Sequence, residues 1–191
     1  MANTVTSVTA GKPAAAGAIW WAPLGTTLPT DASTALNVAF KCLGYVSEDG
    51  LTNSNSMESN QIRAWGGDTV LTLESNKTDT FTYTLLEVLN EEVLKSVYGP
   101  SNVSGALATG LTVRVNSDEI PAAAYVVELA QRDGAIKRIV IPNAKMTALG
   151  DIVYQDNNPV GYPVTLTALA GGFGSSDNDT HKEYIKRATS T

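Results

Sequence analysis

The side chains best suited to covalent chemistry are few in this chain and lie far apart. The sequence has one histidine, His181, and one cysteine, Cys42. Nucleophilic catalysis needs a serine or cysteine beside a base, and no serine stands in a Gly-x-Ser-x-Gly motif. We expect His181 to be an exposed residue of a polar tail and Cys42 to be a small buried strand residue. The sequence therefore predicts no catalytic nucleophile.

Metal and cofactor sites have no better support. Zinc needs a cluster of histidine and cysteine ligands, which one residue of each cannot supply. Residues 171–177 are similar to a calcium-binding glycine repeat, but the pattern occurs once and its aspartate is one position late. No Gly-x-x-x-x-Gly-Lys-Ser/Thr motif and no Gly-x-Gly-x-x-Gly motif lies between a predicted strand and a predicted helix, so nucleotide binding has no support. We expect no metal ion and no cofactor.

Paired carboxylates are the one catalytic device that the composition allows, at Glu48-Asp49 and at Glu91-Glu92. Adjacent residues on a strand point to opposite faces, so the first pair cannot easily act together. The second pair suits the first turn of a helix, where negative charge stabilises the helix dipole. Both pairs are therefore predicted to be solvated surface, and the chain is predicted not to be an enzyme.

Charge and length narrow the class of protein further. The 191 residues suffice for one domain, and the net charge of −6 with a pI near 4.7 argues against a protein that grips phosphates. No basic segment precedes an apolar run at the N-terminus, so neither a signal peptide nor a membrane span is predicted. Only 17% of the residues are charged, which is typical of a surface that partners cover.

The elements that must position these residues are mainly strands. Large apolar residues alternate with polar ones in several segments, which is typical of half-buried antiparallel strands. These residues are Phe81, Tyr83 and Leu85; Leu111, Val113 and Val115; Tyr125, Val127 and Leu129; and Val164 and Leu166. We expect one hairpin to turn at residues 75–77 and another at residues 132–134.

One segment is predicted to be helical. Asn90 can cap it, Glu91 and Glu92 follow in its first turn, and Gly99-Pro100 ends it. One short helix among about nine or ten strands predicts an all-β sandwich or barrel with a helix laid against it.

Domain organisation follows from composition. We expect a single domain over residues 1–191, with flexible polar arms at about 1–16 and 171–191 and a long loop at about 47–61. The loop contains two isolated apolar residues, Leu51 and Met57. The segments are either frayed ends and a mobile loop or pieces that become ordered on neighbouring molecules.

The order of several motifs carries a resemblance to a known family. An acidic turn follows Gly44, Ile62-Arg63-Ala64-Trp65-Gly66-Gly67 comes next, and a threonine-rich strand then runs into the helix that ends at Gly99. Together with the later strand at residues 139–145, this order resembles the major tail tube protein of long-tailed (siphovirus-type) bacteriophages. The resemblance covers most of the chain.

The resemblance implies a virion structural protein whose copies form hexameric rings. The rings would stack into a tube that conducts DNA during ejection, after assembly in the host bacterial cytoplasm. The implied partners are further copies of the chain and the tape measure, tail tip and tail terminator proteins, with DNA only in passage and no membrane.

The site residues are nominated on this basis. The candidate inter-subunit contacts are Leu51, Met57, Ile62 and Trp65, and the candidate lumen carboxylates are Glu48, Asp49 and Glu58. An acidic wall would repel phosphates and let DNA slide. The alternatives are a ring-forming tube protein of a bacterial secretion or contractile system, and a capsid-decorating or adhesive β module.

Overall fold

The computed structural model describes residues 8–131, 134–174 and 178–187. It contains eleven strands, one α-helix and one 3-10 helix, which confirms the predicted all-β class with one short helix. In chain order they are β1 (Gly11–Pro13), β2 (Ile19–Pro23), β3 (Lys41–Cys42), β4 (Val46–Arg63), β5 (Thr69–Leu85), α1 (Glu91–Tyr98), the 3-10 helix (Pro100–Asn102), β6 (Val103–Ala106), β7 (Gly110–Val113), β8 (Ala123–Gln131), β9 (Ile136–Leu149), β10 (Tyr162–Ala168) and β11 (Lys182–Lys186).

Nine of the strands form one antiparallel sheet. Its order is β3-β2-β8-β9-β10-β5-β4, with β1 paired to β8 and β11 paired to β9. Among the described strands, β3 and β4 stand at opposite ends of this order and do not pair with each other, so the sheet is open. The sequence had allowed a sandwich or a closed barrel, because alternation reports which face is buried and not whether the edges meet.

The sheet buries residues on both faces. The main core contains fully buried side chains of β5, β9 and β10 and the buried face of α1, including Phe81, Leu85, Ile141, Leu166 and Val93. A smaller core on the other side consists of Ala22, Phe40, Ala124, Val126 and Val140. The central strands β8 and β9 are therefore covered from both sides.

The predicted alternation is confirmed in β5 and β10, and the predicted helix is confirmed. The alternation fails at Val115, which is exposed and follows the end of β7, and in β8, which is buried on both faces. In β5, Phe81 and Leu85 have no exposed surface and Tyr83 has 4%, whereas the threonines between them lie on the other face. Asn90 caps α1 by accepting a hydrogen bond from the Glu92 backbone N–H at 3.0 Å. Gly99, at φ 91°, ends the helix and donates its N–H to the Lys95 carbonyl.

Two predicted irregular segments are regular strand. Residues 47–61 lie within β4 and not in a loop, because β5 supplies pairing partners from Leu51 to the end of this segment. The predicted turn at residues 75–77 is also wrong, since β5 runs through it and the hairpin turns at residues 64–68. Serine and asparagine here indicate exposure to solvent, and strand pairing overrides their weak strand propensity.

The described parts of the terminal arms pair with the sheet. In the N-terminal arm β1 pairs with residues 129–131 of β8, and in the C-terminal arm β11 pairs with residues 136–140 of β9. The predicted turn at residues 132–134 joins two strands that do pair, but residues 132 and 133 lie outside the described residues. Residues 1–7, 175–177 and 188–191 of the two terminal segments also lie outside the described residues.

Candidate functional site

The outer parts of β4 and β5 form a hairpin that leaves the body of the protein. Residues 54–78 of this hairpin are called the arm. Strand pairing continues to Arg63 and Thr69, and every described side chain from Thr52 to Thr78 is exposed. A two-stranded hairpin with no buried face is only marginally stable in water. The arm therefore contributes little to the core and offers two faces to other molecules.

One bulge decides which face of the arm is apolar. Leu71 and Leu73 have the same odd numbering as the buried Phe81, so a regular strand would place all three on one face. The pairing instead shifts from Glu58↔Asn76 to Ser59↔Glu74, which leaves residue 75 as an extra residue of β5. Beyond it, Leu71 and Leu73 lie on the face opposite the core.

Ile62 completes an apolar stripe on that face. It is directly opposite Leu71 in the pairing register, and Leu73 is one pair further along the same face. The exposed fractions are 43% for Ile62 and 48% for each leucine. These three residues are called the stripe. The other face carries Gln61 and Thr72, and the exposed Met57 lies further along β4 on the same side as Gln61. The stripe is therefore confined to one face of the arm.

The tip of the arm presents one large side chain. The Ala64 N–H donates to the Asp68 carbonyl at 2.8 Å, and the Gly67 N–H donates to the Ala64 carbonyl at 3.0 Å. Gly66 and Gly67 have φ values of 126° and 99°, which side chains rarely tolerate. Trp65 stands in this turn with its side chain fully exposed.

The structure places three of the four nominated contact residues on the arm, with Met57 on the face opposite Ile62. Met57, Ile62 and Trp65 all lie on the arm and are exposed. Leu51 lies at its root, opposite Tyr83, and packs partly against the main core of its own chain. Sequence reasoning missed Leu71 and Leu73, because the bulge that exposes them has no signature in the residue pattern.

A buried carboxylate fastens the root of the arm to the C-terminal segment. The side chain of Asp79 has no exposed surface. It accepts hydrogen bonds from Asn53 Nδ2 at 2.7 Å and Thr180 Oγ1 at 2.6 Å, and its Oδ2 is 2.5 Å from His181 Nδ1. The His181 ring also meets Phe81 edge to face, with centroids 5.3 Å apart.

His181 is therefore not the exposed tail residue that the sequence suggested. Its side chain is only 15% exposed and lies against the buried Asp79 carboxylate. A buried carboxylate is stable only where hydrogen-bond donors reach it. Burial also raises the pKa of the Tyr83 hydroxyl, two residues beyond Phe81 on the same face of β5. The environment at the root is thus apolar, in contrast to the solvated arm.

A groove of about 790 Å³ lies beside the root of the arm. Its walls are mainly small or aliphatic: Ala14, Ala15, Ala16, Ala18, Ile19, Leu51, Val127 and Leu129. Glu48 and Asp49, two of the nominated lumen carboxylates, line it where the pairing register of β4 shifts between Val46 and Leu51. Glu87 lines it too, and its carboxylate accepts hydrogen bonds from the Tyr45 N–H at 3.1 Å and from Asn90 Nδ2 at 3.0 Å.

The third nominated lumen carboxylate is elsewhere. Glu58 lies on the arm, where Asn76 Nδ2 donates to its Oε2 at 3.4 Å. The structure therefore does not bring the three lumen candidates together. In the part of the chain that the structure describes, no group of three or more histidine, cysteine, aspartate or glutamate side chains could hold a metal ion. Nor is any described helix long and apolar enough to cross a membrane.

The comparison with protein families decides the affiliation of the chain. A family model described as phage tail tube protein matches residues 5–187. The chain belongs to this phage tail tube protein family. The resemblance noted in the sequence is confirmed, and the protein is a structural component of a phage tail. A structural family agrees with the expectation that the chain is not an enzyme.

No curated protein sequence matches the chain. Among solved structures, the chain matches the cryo-EM structure of the anti-feeding prophage cap, described as a tube terminating cap. The two chains share 10% sequence identity, the match covers 98% of this tail tube family member and 100% of the cap chain, and the TM-score is 0.45.

Proposed function

We propose that this chain polymerises as stacked hexameric rings into the tail tube of a siphovirus-type phage, and that DNA is ejected through the tube. Membership of the tail tube family supports the assembly of this chain into a tube. The arm is the observation that carries the assembly step, because it exposes an apolar stripe on a hairpin that is only marginally stable alone.

The stripe needs a partner surface, and the bulge at residue 75 turns it away from the core side of its own sheet. A second copy of the chain is the partner that a tube requires. We propose Ile62, Trp65, Leu71 and Leu73 as inter-subunit contacts of the stripe and the tip, and Met57 as a separate contact on the opposite face. Leu51 contributes indirectly, because it packs at the root and orients the arm.

The open sheet offers a second route to association. Among the described strands, β3 and β4 end the sheet order, and exposed strand edges present unpaired N–H and C=O groups. Pairing of such edges between copies would extend the sheets around the ring. This is the proposed origin of a β-lined channel.

Charge supports the role as a conduit. Six copies at −6 each would give a ring a net charge of about −36, which repels phosphates. Glu58 on the exposed arm is the carboxylate that we propose for the lumen, whereas Glu48 and Asp49 lie at the groove. Glu58→Lys virions should assemble yet eject DNA more slowly, with a delay that shrinks as salt is raised. An unchanged rate of DNA ejection would show that Glu58 does not face the channel.

The remaining parts of the proposal concern other molecules. A tube of defined length needs a tape measure protein inside it and tail tip and tail terminator proteins at its ends. We propose these as partners, with assembly in the cytoplasm of the host bacterium. DNA would touch the protein only while passing through.

The assembly step can be tested with a matched pair of variants. Leu71→Asp places a charge in the stripe, and Thr72→Asp places the same charge at the neighbouring position on the opposite face of the arm. We expect the wild type and Thr72→Asp to form rings or tubes in electron micrographs and to sediment as large particles. We expect Leu71→Asp to sediment as a folded monomer with an unchanged melting temperature.

Two results would contradict the proposal. One is a wild-type protein that stays monomeric at high concentration and in the presence of purified tail tips. The other is equal assembly of both aspartate variants, which would show that the stripe makes no contact in the tube.

A further inference from the structure

The groove beside the root of the arm has the shape and charge to receive the tip of another arm. We propose that Trp65 of one copy enters the groove of a neighbouring copy, with Arg63 facing Glu48 and Asp49 of that neighbour. This inference rests on the proposed self-assembly and names the surface that receives the arm.

The walls of the groove fit an aromatic side chain. Four alanines, Ala14, Ala15, Ala16 and Ala18, line it and leave depth that larger side chains would fill. Leu51, Val127 and Leu129 add larger apolar side chains to its lining. Tryptophan buries about 150–250 Å² when it enters such a site, and it dominates many protein interfaces.

The tip is the matching shape. Gly66 and Gly67 follow Trp65, and a Cβ atom built on either would meet nothing within 4 Å. The tip is therefore a slim turn that carries a single large, fully exposed side chain. A tip of this shape can enter a narrow groove, whereas a broad protein surface cannot.

The charges are complementary. None of the described residues that line the groove is a lysine or arginine, whereas Glu48, Asp49 and Glu87 all line it. Arg63 is exposed and is the last paired residue of β4 before the tip. Arginine pairs with carboxylates through two parallel hydrogen bonds, which fixes orientation as well as adding attraction.

The acidic residue near the tip does not oppose this contact. Asp68 lies across from Ala64 in the turn, and Arg63 is paired with Thr69. We place Arg63 and Asp68 on different sides of the hairpin, because Asp68 stands one position before Thr69, the residue paired with Arg63. A groove that receives the Arg63 side meets the cation and not the carboxylate.

The position of the two surfaces determines how copies would be related. The groove and the tip lie at opposite ends of one arm, roughly 45 Å apart for fourteen extended residues. Each copy has one tip and one groove, so it can insert its tip into one neighbour and receive the tip of another. The contact is therefore head to tail, and it repeats until a ring closes or a stack ends.

Cysteine cross-linking tests the pairing directly, because Cys42 already lines the groove. Ala64→Cys adds a second thiol at the tip and keeps Trp65. Assembled Ala64→Cys protein treated with a short bismaleimide should give a ladder of trimers and larger species, in which mass spectrometry finds residue 42 joined to residue 64. Wild type and Ala64→Cys/Cys42→Ser carry one thiol each and should stop at dimers.

The outcomes separate the two proposals. Assembled particles without a 42–64 link would overturn the docking and leave the proposed function standing. A wild type that forms neither rings nor tubes would overturn both. A 42–64 link to a tail tip protein, and none between copies of this chain, would also overturn the docking.

Charge reversal gives an independent test. Asp49→Arg and Arg63→Glu should each reduce assembly at least tenfold at low salt, and the double variant should recover most of it. Asp68→Lys, on the other face of the tip, is the matched control and should assemble as the wild type does. Loss of assembly in both single variants without recovery in the double variant would show that these two residues do not meet.

Discussion

The two halves of strand β5 make the most instructive comparison in this molecule. From Asp79 to Leu85 the strand lies in the body, and its inward side chains are almost completely buried. From Thr69 to Thr78 the same strand lies in the arm, and its described side chains are exposed. Both halves pair with β4 in the same ladder. The body half also pairs with β10 on its other edge, whereas the arm half pairs with β4 alone, so the two halves differ in strand pairing as well as in burial.

Burial in the body stabilises the fold, and exposure in the arm leaves apolar surface for another molecule. Removing a core side chain costs transfer free energy and leaves a cavity, whereas removing a solvated side chain costs neither. The body should therefore govern the free energy of unfolding, and the arm should govern association. Three changes can break or sharpen this distinction.

The largest expected effect is in the body. Phe81→Ala should lower the free energy of unfolding by about 3–5 kcal/mol, because the ring has no exposed surface and lies in the centre of the core. Leu73→Ala on the arm should change it by less than about 0.5 kcal/mol. Urea unfolding of the monomer measures both. Similar losses in the two variants would mean that the arm is part of the cooperative core.

An intermediate effect is expected where arm and body meet. Asp79→Ala should cost about 1–3 kcal/mol, because the donors of Asn53, Thr180 and His181 lose their shared acceptor. Amide hydrogens of β11 should also exchange faster, since this contact holds the segment that leads into it. Glu74→Ala, an exposed carboxylate of the arm, is the control and should change neither quantity. A fully stable Asp79→Ala protein would show that the carboxylate does not hold the root.

Removal of the bulge by insertion should have the smallest effect on stability and the sharpest effect on assembly. One threonine inserted between Glu58 and Ser59 gives residue 75 a partner and moves the stripe to the other face of the arm. The free energy of unfolding should change by less than about 0.5 kcal/mol, because both faces of the arm are solvated. Tube formation should be lost, as judged by electron microscopy and sedimentation.

Deletion of Ser75 is the matched control for this insertion. It also removes the bulge, but it leaves Leu71 and Leu73 on the face where they now lie. Tubes should still form. If the deletion abolished tubes and the insertion did not, the face on which the stripe lies would have no part in assembly.

Several features of the candidate site were accessible from the sequence, and others were not. Met57 stood out as an isolated apolar residue, and Ile62 and Trp65 belong to a motif that carries the family resemblance; all three are exposed on the arm. Leu51 had the same signal as Met57 but packs on its own core. Isolation in the sequence cannot separate the two cases, because the side chains that cover Leu51 come from distant segments.

The sequence by itself determined the elements whose signals are local. Alternation in β5 and β10 identified buried strand faces, and Asn90, Glu91 and Gly99 set the limits of the helix, because burial of one strand face and helix capping act within a few residues. The order of motifs also led to the correct family.

Only the tertiary structure decided the features that depend on distant partners. It made residues 47–61 a strand, because β5 pairs with them, and it brought His181 to Asp79 across 102 positions of the chain. It placed the bulge at residue 75, which one extra residue in the register creates and no local pattern records. It also left the sheet open, since edge closure depends on the path of the whole chain and not on the alternation of any strand.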